Sequence, residues 1–328
     1  MVLELGAIGE LAAFQESLYR AIYLTGPTAS GKSAIGVALA QRLDAEIIAL
    51  DSMTLYRGMD IGTAKPTAQE QGGVPHHLID VLDPWQSASV AEYRRWAIEA
   101  AGQIANRGRR VLFVGGTALY LKALLRGLFE GPGADPVLRG RLEREAAEQG
   151  PKALFERLSV LDPATAKRLH PNDQRRIIRA LEVIEISGEP LSRLQSEHDQ
   201  PAPAATLVFA LQRSRGNLYE RIHRRVGAMF AAGLVDEVRE LWSRDRPPSE
   251  VAAQAVGYRE VIAMLHGGAR LDETMNLVQT RTRQFAKRQG TWFRGLAEVR
   301  PWPVRRDESP EMIAEALARE CGSGTGPP

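Results

Sequence analysis

GPTASGKS, residues 26–33, follows the apolar run Ala21–Thr25 (AIYLT) and opens a helical pattern reaching from Ser33 to about Leu43. The string satisfies G-x-x-x-x-G-K-[ST], and strand–turn–helix is the context in which that string binds phosphate. Glycines let the backbone close into a cradle whose N–H groups, with the helix N-terminus, face phosphate oxygens. Lys32 then supplies a point charge and Ser33 a hydroxyl for Mg2+. The expected diphosphate-binding set is Gly26, Pro27, Thr28, Ala29, Ser30, Gly31, Lys32 and Ser33. The loop alone leaves open whether its ligand is a nucleoside triphosphate or a diphosphate.

Working outward, Glu46–Leu50 (EIIAL) is a second apolar run ending at Asp51, and Arg110–Val114 (RVLFV) is a third, ending in Gly115-Gly116-Thr117. A helical pattern follows at Ala118–Leu128, and Thr206–Leu211 (TLVFAL) resumes the strand signal. Apolar runs alternating with helices imply βαβ units and a parallel sheet covered on both faces. Ligands of such sheets bind at the carboxyl ends of the strands. That is where Asp51 falls, either as a magnesium ligand or as a base facing a second substrate.

From Gly131 to Pro203 the pattern changes to helix starts and stops with no strand. Asp135-Pro136, Asp162-Pro163 and Asn172-Asp173 read as N-terminal caps, Gly150 and Gly188 as stops. GPGADP and DQPAPAA flank this stretch as linkers. The expected fold is α/β: a P-loop NTPase-like parallel sheet core (1–130 and 204–320) with an inserted all-helical subdomain (131–203). A disordered tail is expected over 321–328.

Composition sets the broad class. With 44% hydrophobic and 25% charged residues over 328 positions, the chain is a globular protein rather than a disordered one. Net charge is only +2, but basic residues cluster: Arg281, Arg283, Lys287, Arg288 and Arg294 without an acidic neighbour, and Arg213, Arg215, Arg221, Arg224 and Arg225 opposed by Glu220. Such clusters are solvated helix faces or phosphate-binding surfaces. One cysteine, Cys321, rules out an intrachain disulfide and suits a reducing compartment. No signal-like or membrane-spanning apolar stretch is present, so a cytoplasmic protein is expected.

Seven segments in order, GPTASGKS, DSMTLYRGMDIGTAKP (51–66), HHLID (76–80), GGTALY (115–120), HPNDQRRIIRALE (170–182), AVGYRE (255–260) and KRQGTWFR (287–294), resemble the tRNA dimethylallyltransferase family. The resemblance spans about residues 20 to 295. It implies a P-loop-type core with a channel, an insertion gripping the tRNA anticodon stem-loop, Mg2+, dimethylallyl diphosphate as donor and adenosine 37 as acceptor. It implies Asp51 as the base at the adenine amine, with Lys32, Ser33 (holding Mg2+) and Arg221 at the diphosphate. Arg224 and Arg225 are the alternatives to Arg221, one helical turn or less away.

The tRNA-binding positions implied by the resemblance are Asp51, Ser52, Met53, Thr54, Thr117 and Arg139; Gln174, Arg175, Arg176, Ile177, Ile178 and Arg179; Gly257, Tyr258 and Arg259; and Lys287, Arg288, Gln289, Trp292 and Arg294. Residues 131–200 hold 11 Lys/Arg and 12 Asp/Glu. The insertion's RNA role therefore rests on the resemblance, not on charge. A monomer is expected. Rival readings are a transferase acting on free adenine nucleotides, a P-loop kinase or ATPase, and a non-catalytic RNA-binding module. The insertion speaks against the first, Gly115-Gly116 in place of an acidic strand end against the second, and the Lys32–Ser33–Asp51 grouping against the third.

Overall fold

The computed structural model describes residues 18–127, 131–196 and 201–323. Six strands form one sheet in the order β3-β2-β4-β1-β5-β6, every neighbouring pair parallel. They are β1 (Ile22–Thr25), β2 (Ala45–Leu50), β3 (His76–His77), β4 (Arg110–Gly115), β5 (Leu207–Gln212) and β6 (Val299–Pro303). Helices α1 (Lys32–Leu43), α2 (Ala68–Gln71), α3 (Val90–Asn106) and α4 (Ala118–Arg126) interleave with the first four strands. Leu128, expected to end α4, lies outside the described residues.

Burial on both faces is why the strands read as continuous apolar runs. Tyr23, Ile48, Leu50, Val111 and Phe113 enter one core, while Ile22, Leu24, Ile47, Leu112 and Leu211 enter another. Successive residues of a strand thus serve opposite faces. The Tyr23 and Phe113 rings stack at 4.8 Å on the first of these.

Two strands differ from expectation. β3 is a two-residue pairing at one edge, too short to carry a periodic signal. β6 reads VRPWP and occupies the other edge, the place in a sheet that tolerates proline.

The chain divides into two compact units, one from the residues up to Leu125 and from Ala202 onward, the other Arg126–Pro201. The second is helical: α5 (Pro136–Gln149), α6 (Pro151–Leu161), α7 (Pro163–Arg168), α8 (Gln174–Ser187) and α9 (Leu191–Ser196) surround Leu142, Leu154, Leu158, Ile177 and Leu181. Asp135 caps α5 through Val137 N and Leu138 N, and Asp162 caps α7 through Thr165 N. Asp173 precedes α8 without a side-chain cap bond.

In this unit four residues expected to contact RNA engage the protein itself. Ile177 and Ile178 are buried in the core, at 0% and 5% exposure. Arg139 and Arg179 both donate to Glu182, a carboxylate with no exposed side-chain surface. These guanidiniums neutralise a buried charge. Arg179→Ala is expected to destabilise the unit by about 3 kcal/mol, the low end for uncovering a buried carboxylate. The low end applies because Arg139 remains and Arg179 is itself 36% exposed. Chemical denaturation checks this value.

The first unit continues with α10 (Arg215–Ala231), α11 (Leu234–Trp242), α12 (Glu250–Ala253), α13 (Tyr258–Leu265), α14 (Leu271–Arg294) and α15 (Pro310–Ser323). Cys321 is buried in the last turns of α15. The tail expected from 321 therefore does not start there, and 324–328 lie outside the described residues.

Candidate active site

Strand order fixes which groups can meet. β2, β4, β1 and β5 are consecutive neighbours, so their carboxyl ends bring Asp51, Gly116-Thr117, the Gly26–Ser33 loop and Arg213 to one edge of the sheet. Lys32 folds over the loop, its Nζ donating to the carbonyls of Gly26 (2.8 Å) and Pro27 (2.9 Å). Two of three ammonium protons are used, leaving one for a ligand. Burial lowers the Lys32 pKa to about 7; Arg225 pushes it the same way and Asp51 opposes them.

Three guanidiniums surround the same loop. Arg221 Nε donates to Ala29 O (2.7 Å), Arg213 Nε to Ser30 O (2.8 Å), and Arg225 Nη2 to Thr63 O (3.1 Å). Burial lowers the pKa of all three, with neighbouring arginines adding to the effect. A guanidinium does not give up its proton in a protein. The shift therefore means poorly solvated positive charge, which an anion relieves. Among the described residues none of Lys32, Arg213, Arg221 and Arg225 forms a salt bridge. Arg107, Arg139 and Arg259 elsewhere all pair with buried carboxylates.

Two cavities adjoin the loop, of about 430 Å³ and about 560 Å³. Lys32, Ser33, Ala64, Pro66 and Arg225 line both. The larger adds Gly31, Arg221 and Arg224. The smaller adds Asp51, Ser52, Met53, Thr54 and Thr117, with Arg288 and an apolar wall of Val226, Met229, Val278 and Phe285. Arg221 thus reaches the loop as expected. Arg225 penetrates further, to the wall that both cavities share.

Asp51 Oδ1 accepts from Met53 N (2.9 Å), a local turn that fixes the carboxylate, and Oδ2 has no hydrogen-bond partner among the described residues. Thr117 Oγ1 accepts from Ser52 N (3.1 Å), which leaves its hydroxyl proton for a ligand. Ser33, at the start of α1, is exposed. Gln289 from α14 holds the site together: its Oε1 accepts from Thr28 N (2.8 Å) and its Nε2 donates to Gly116 O (2.8 Å). A Cβ on residue 116 would come within 2.6 Å of that Nε2 and would displace the Gln289 amide from its hydrogen bonds.

Several other residues expected to contact RNA also have partners within the protein. Gln289 is 6% exposed and spends both ends of its amide inside the protein. Tyr258 is fully buried, its hydroxyl donating to Glu237, and Gly257 is buried with its N–H on Glu260. Arg259 is exposed but forked onto Glu260. Gln174, Arg175, Arg176, Lys287, Trp292 and Arg294 are exposed and line neither cavity. Arg213 stood in the sequence reading only as a member of a basic cluster, and the apolar wall and Glu237 did not stand in it at all. Of these, only Arg213, directly after β5, had a positional signal.

The family model for IPP transferase matches residues 54–296. A tRNA dimethylallyltransferase of Pelotomaculum thermopropionicum is 45% identical over 304 residues, 92% of this chain and 96% of the relative. Among solved structures, the full-length tRNA isopentenylpyrophosphate transferase of Bacillus halodurans is 39% identical with a TM-score of 0.67, covering 93% of this chain and 97% of its own. A eukaryotic dimethylallyltransferase acting on tRNA is 28% identical with a TM-score of 0.73, covering 86% of this chain and 73% of its own. With the phosphate loop, the parallel sheet and the ordered motifs all in agreement, the chain belongs to the tRNA dimethylallyltransferase family.

Proposed function

We propose that the protein transfers a dimethylallyl group from dimethylallyl diphosphate to N6 of the adenosine at tRNA position 37, 3′ of the anticodon. The products are diphosphate and N6-isopentenyladenosine. The observation that carries this reading is the set of four unpaired cations around the phosphate loop, next to a cavity that is apolar on one wall and carries Asp51 on another. A diphosphate answers the charge and a short hydrocarbon answers the wall. The carboxylate answers an amine that must lose a proton.

In the reaction the allylic C–O bond breaks and the electron pair leaves with diphosphate. Lys32 and Arg225, together with the loop N–H groups, stabilise that developing charge. The N6–carbon bond forms as the N6 proton passes to Asp51, whose Oδ2 is the unengaged acceptor. Val226, Met229, Val278 and Phe285 keep water from the allylic carbon. Thr117 supplies a hydrogen-bonding group beside the target base.

Magnesium fits the donor set. No group of three or more His, Cys, Asp or Glu capable of holding a metal exists among the described residues, but Ser33 lines both cavities and shares the smaller with Asp51. Magnesium takes one or two protein oxygens together with phosphate oxygens. When bound, it would neutralise charge on the leaving diphosphate.

The assay is transfer from radiolabelled dimethylallyl diphosphate to unmodified tRNA, AMP or ATP. Label in tRNA alone is expected; label in AMP at a comparable rate overturns the RNA reading. No helix among the described residues is long and apolar enough to cross a membrane, and a tRNA substrate supports a cytoplasmic site of action.

The exposed first turn of α8 is the helical unit's contribution to tRNA binding under this proposal. Arg175→Glu with Arg176→Glu is expected to weaken tRNA binding about tenfold or more at moderate salt and to flatten its salt dependence by about two phosphates. Donor affinity should stay within about twofold. Filter binding across a salt series checks it, and equal loss of donor binding would show these arginines support the fold instead.

A further inference from the structure

We infer that Glu237 is a positioning residue of this site, holding the Asp60–Thr63 loop so that Arg225 stays against the phosphate loop. Glu237 sits on α11 and lines neither cavity, so it touches no substrate. Its Oε2 accepts from Asp60 N (3.0 Å) and Ile61 N (2.7 Å), and its Oε1 from Gly62 N (3.2 Å) and Tyr258 Oη (2.6 Å). Three successive backbone N–H groups turned to one anion form a nest, ordinarily an arrangement for binding a free anion. Here the anion is a side chain 175 to 177 positions further along the chain, and the nest becomes a clasp.

Tyr258 completes the clasp. Its ring stands behind Gly62, where a Cβ would fall 2.3 Å from a ring carbon, so only glycine permits the approach. Burial raises the Tyr258 pKa, and the Glu237 carboxylate raises it further, keeping the phenol a donor.

The next residues carry the clasp to the site. Thr63 O accepts from Arg225 Nη2, and Thr63 Oγ1 donates to Met59 O (2.7 Å). Ala64, which lines both cavities, adopts a left-handed backbone (φ 51°). Lys65 Nζ is tied to Tyr56 O, Asp60 and Asp80. An alanine in that conformation persists only where its surroundings over-determine it. The Glu237 clasp and the Lys65 ties are those surroundings. Arg225 is repelled by Lys32 and attracted by Asp51, and its hydrogen bond to Thr63 O is what fixes its guanidinium against the Asp60–Thr63 loop.

The inference rests on the diphosphate reading of the phosphate loop, so the test measures inorganic pyrophosphate binding by calorimetry to the full chain without tRNA. Wild-type binding checks that reading, and its failure would remove both. With wild type binding, Glu237→Gln is expected to raise the dissociation constant about tenfold and Glu237→Ala more, while tRNA affinity stays within about twofold. The KM for dimethylallyl diphosphate should rise by more than kcat falls.

Arg225→Ala supplies the reading that a merely structural role would not move. If Glu237 acts through Arg225, adding Glu237→Ala to Arg225→Ala costs pyrophosphate affinity little more; full additivity overturns the inference. Tyr258→Phe removes one hydroxyl and keeps the ring, so it decides the matter should the Glu237 variants fail to fold. A rise of about threefold is expected, and parity with wild type overturns the inference.

Discussion

Lys32→Ala is expected to lower kcat on the order of 10²–10³-fold, the span for removing one charge-stabilising donor from a leaving group. The KM for donor should rise by less, because diphosphate gains charge as the C–O bond breaks and the ammonium is worth most in the transition state. Single-turnover transfer with donor and tRNA saturating measures the first quantity, and a variant that keeps the wild-type rate removes Lys32 from the mechanism. The wild type carries an independent signature. Burial places the Lys32 pKa at about 7, so the charged form is full below that pH and is lost as pH rises through it. Diphosphate binds the charged form, so donor affinity should fall above pH 7, approaching about tenfold per unit. Lys32→Ala should lack that slope.

What the sequence made legible, and what it hid, divides by range. The strand ends were readable because a parallel sheet buried on both faces leaves unbroken apolar runs, and the ends of β1, β2 and β4 carry the loop, Asp51 and Thr117. The two edge strands were not, one for brevity and the other for its prolines. Arg221 and Arg225 lie one turn apart on the same side of α10, so sequence spacing cannot separate them. Depth does: Arg225 lines both cavities, Arg221 one. Gln289 sits in a basic segment that reads as an RNA contact, yet its partners Thr28 and Gly116 lie 261 and 173 positions away. Arg179 is a different case. Its partner Glu182 is three residues on, and Ile177, Leu181 and Ile184 mark the apolar stripe beside it, so this ion pair was available from helical spacing. The Glu237 clasp depends on contacts 175 to 177 positions apart and leaves no local trace.

Asp51→Asn separates the two roles that the position of this carboxylate permits. Asparagine keeps the size and one acceptor oxygen, so the Met53 N contact and the turn survive, but it cannot take a proton. If Asp51 is the base at the adenine amine, kcat falls about 10²–10⁴-fold, the usual span for general-base catalysis. Pyrophosphate and magnesium binding then stay near wild type, because Lys32 and Arg225, the cations proposed to hold diphosphate, are unchanged. If Asp51 is instead a magnesium ligand, the variant needs more magnesium, binds diphosphate less tightly and recovers activity as metal is added. Single-turnover rates across a magnesium titration distinguish the two. The geometry favours the base: Oδ2 has no partner among the described residues, and the carboxylate lines the cavity that carries the apolar wall and Thr117 but not the one that adds Arg221 and Arg224. A metal ligand would serve the diphosphate from either cavity, whereas a base must share the cavity of the acceptor amine, which under the proposal is the one Asp51 lines. Recovery by magnesium would therefore refute the base role and leave the assignment to the family standing.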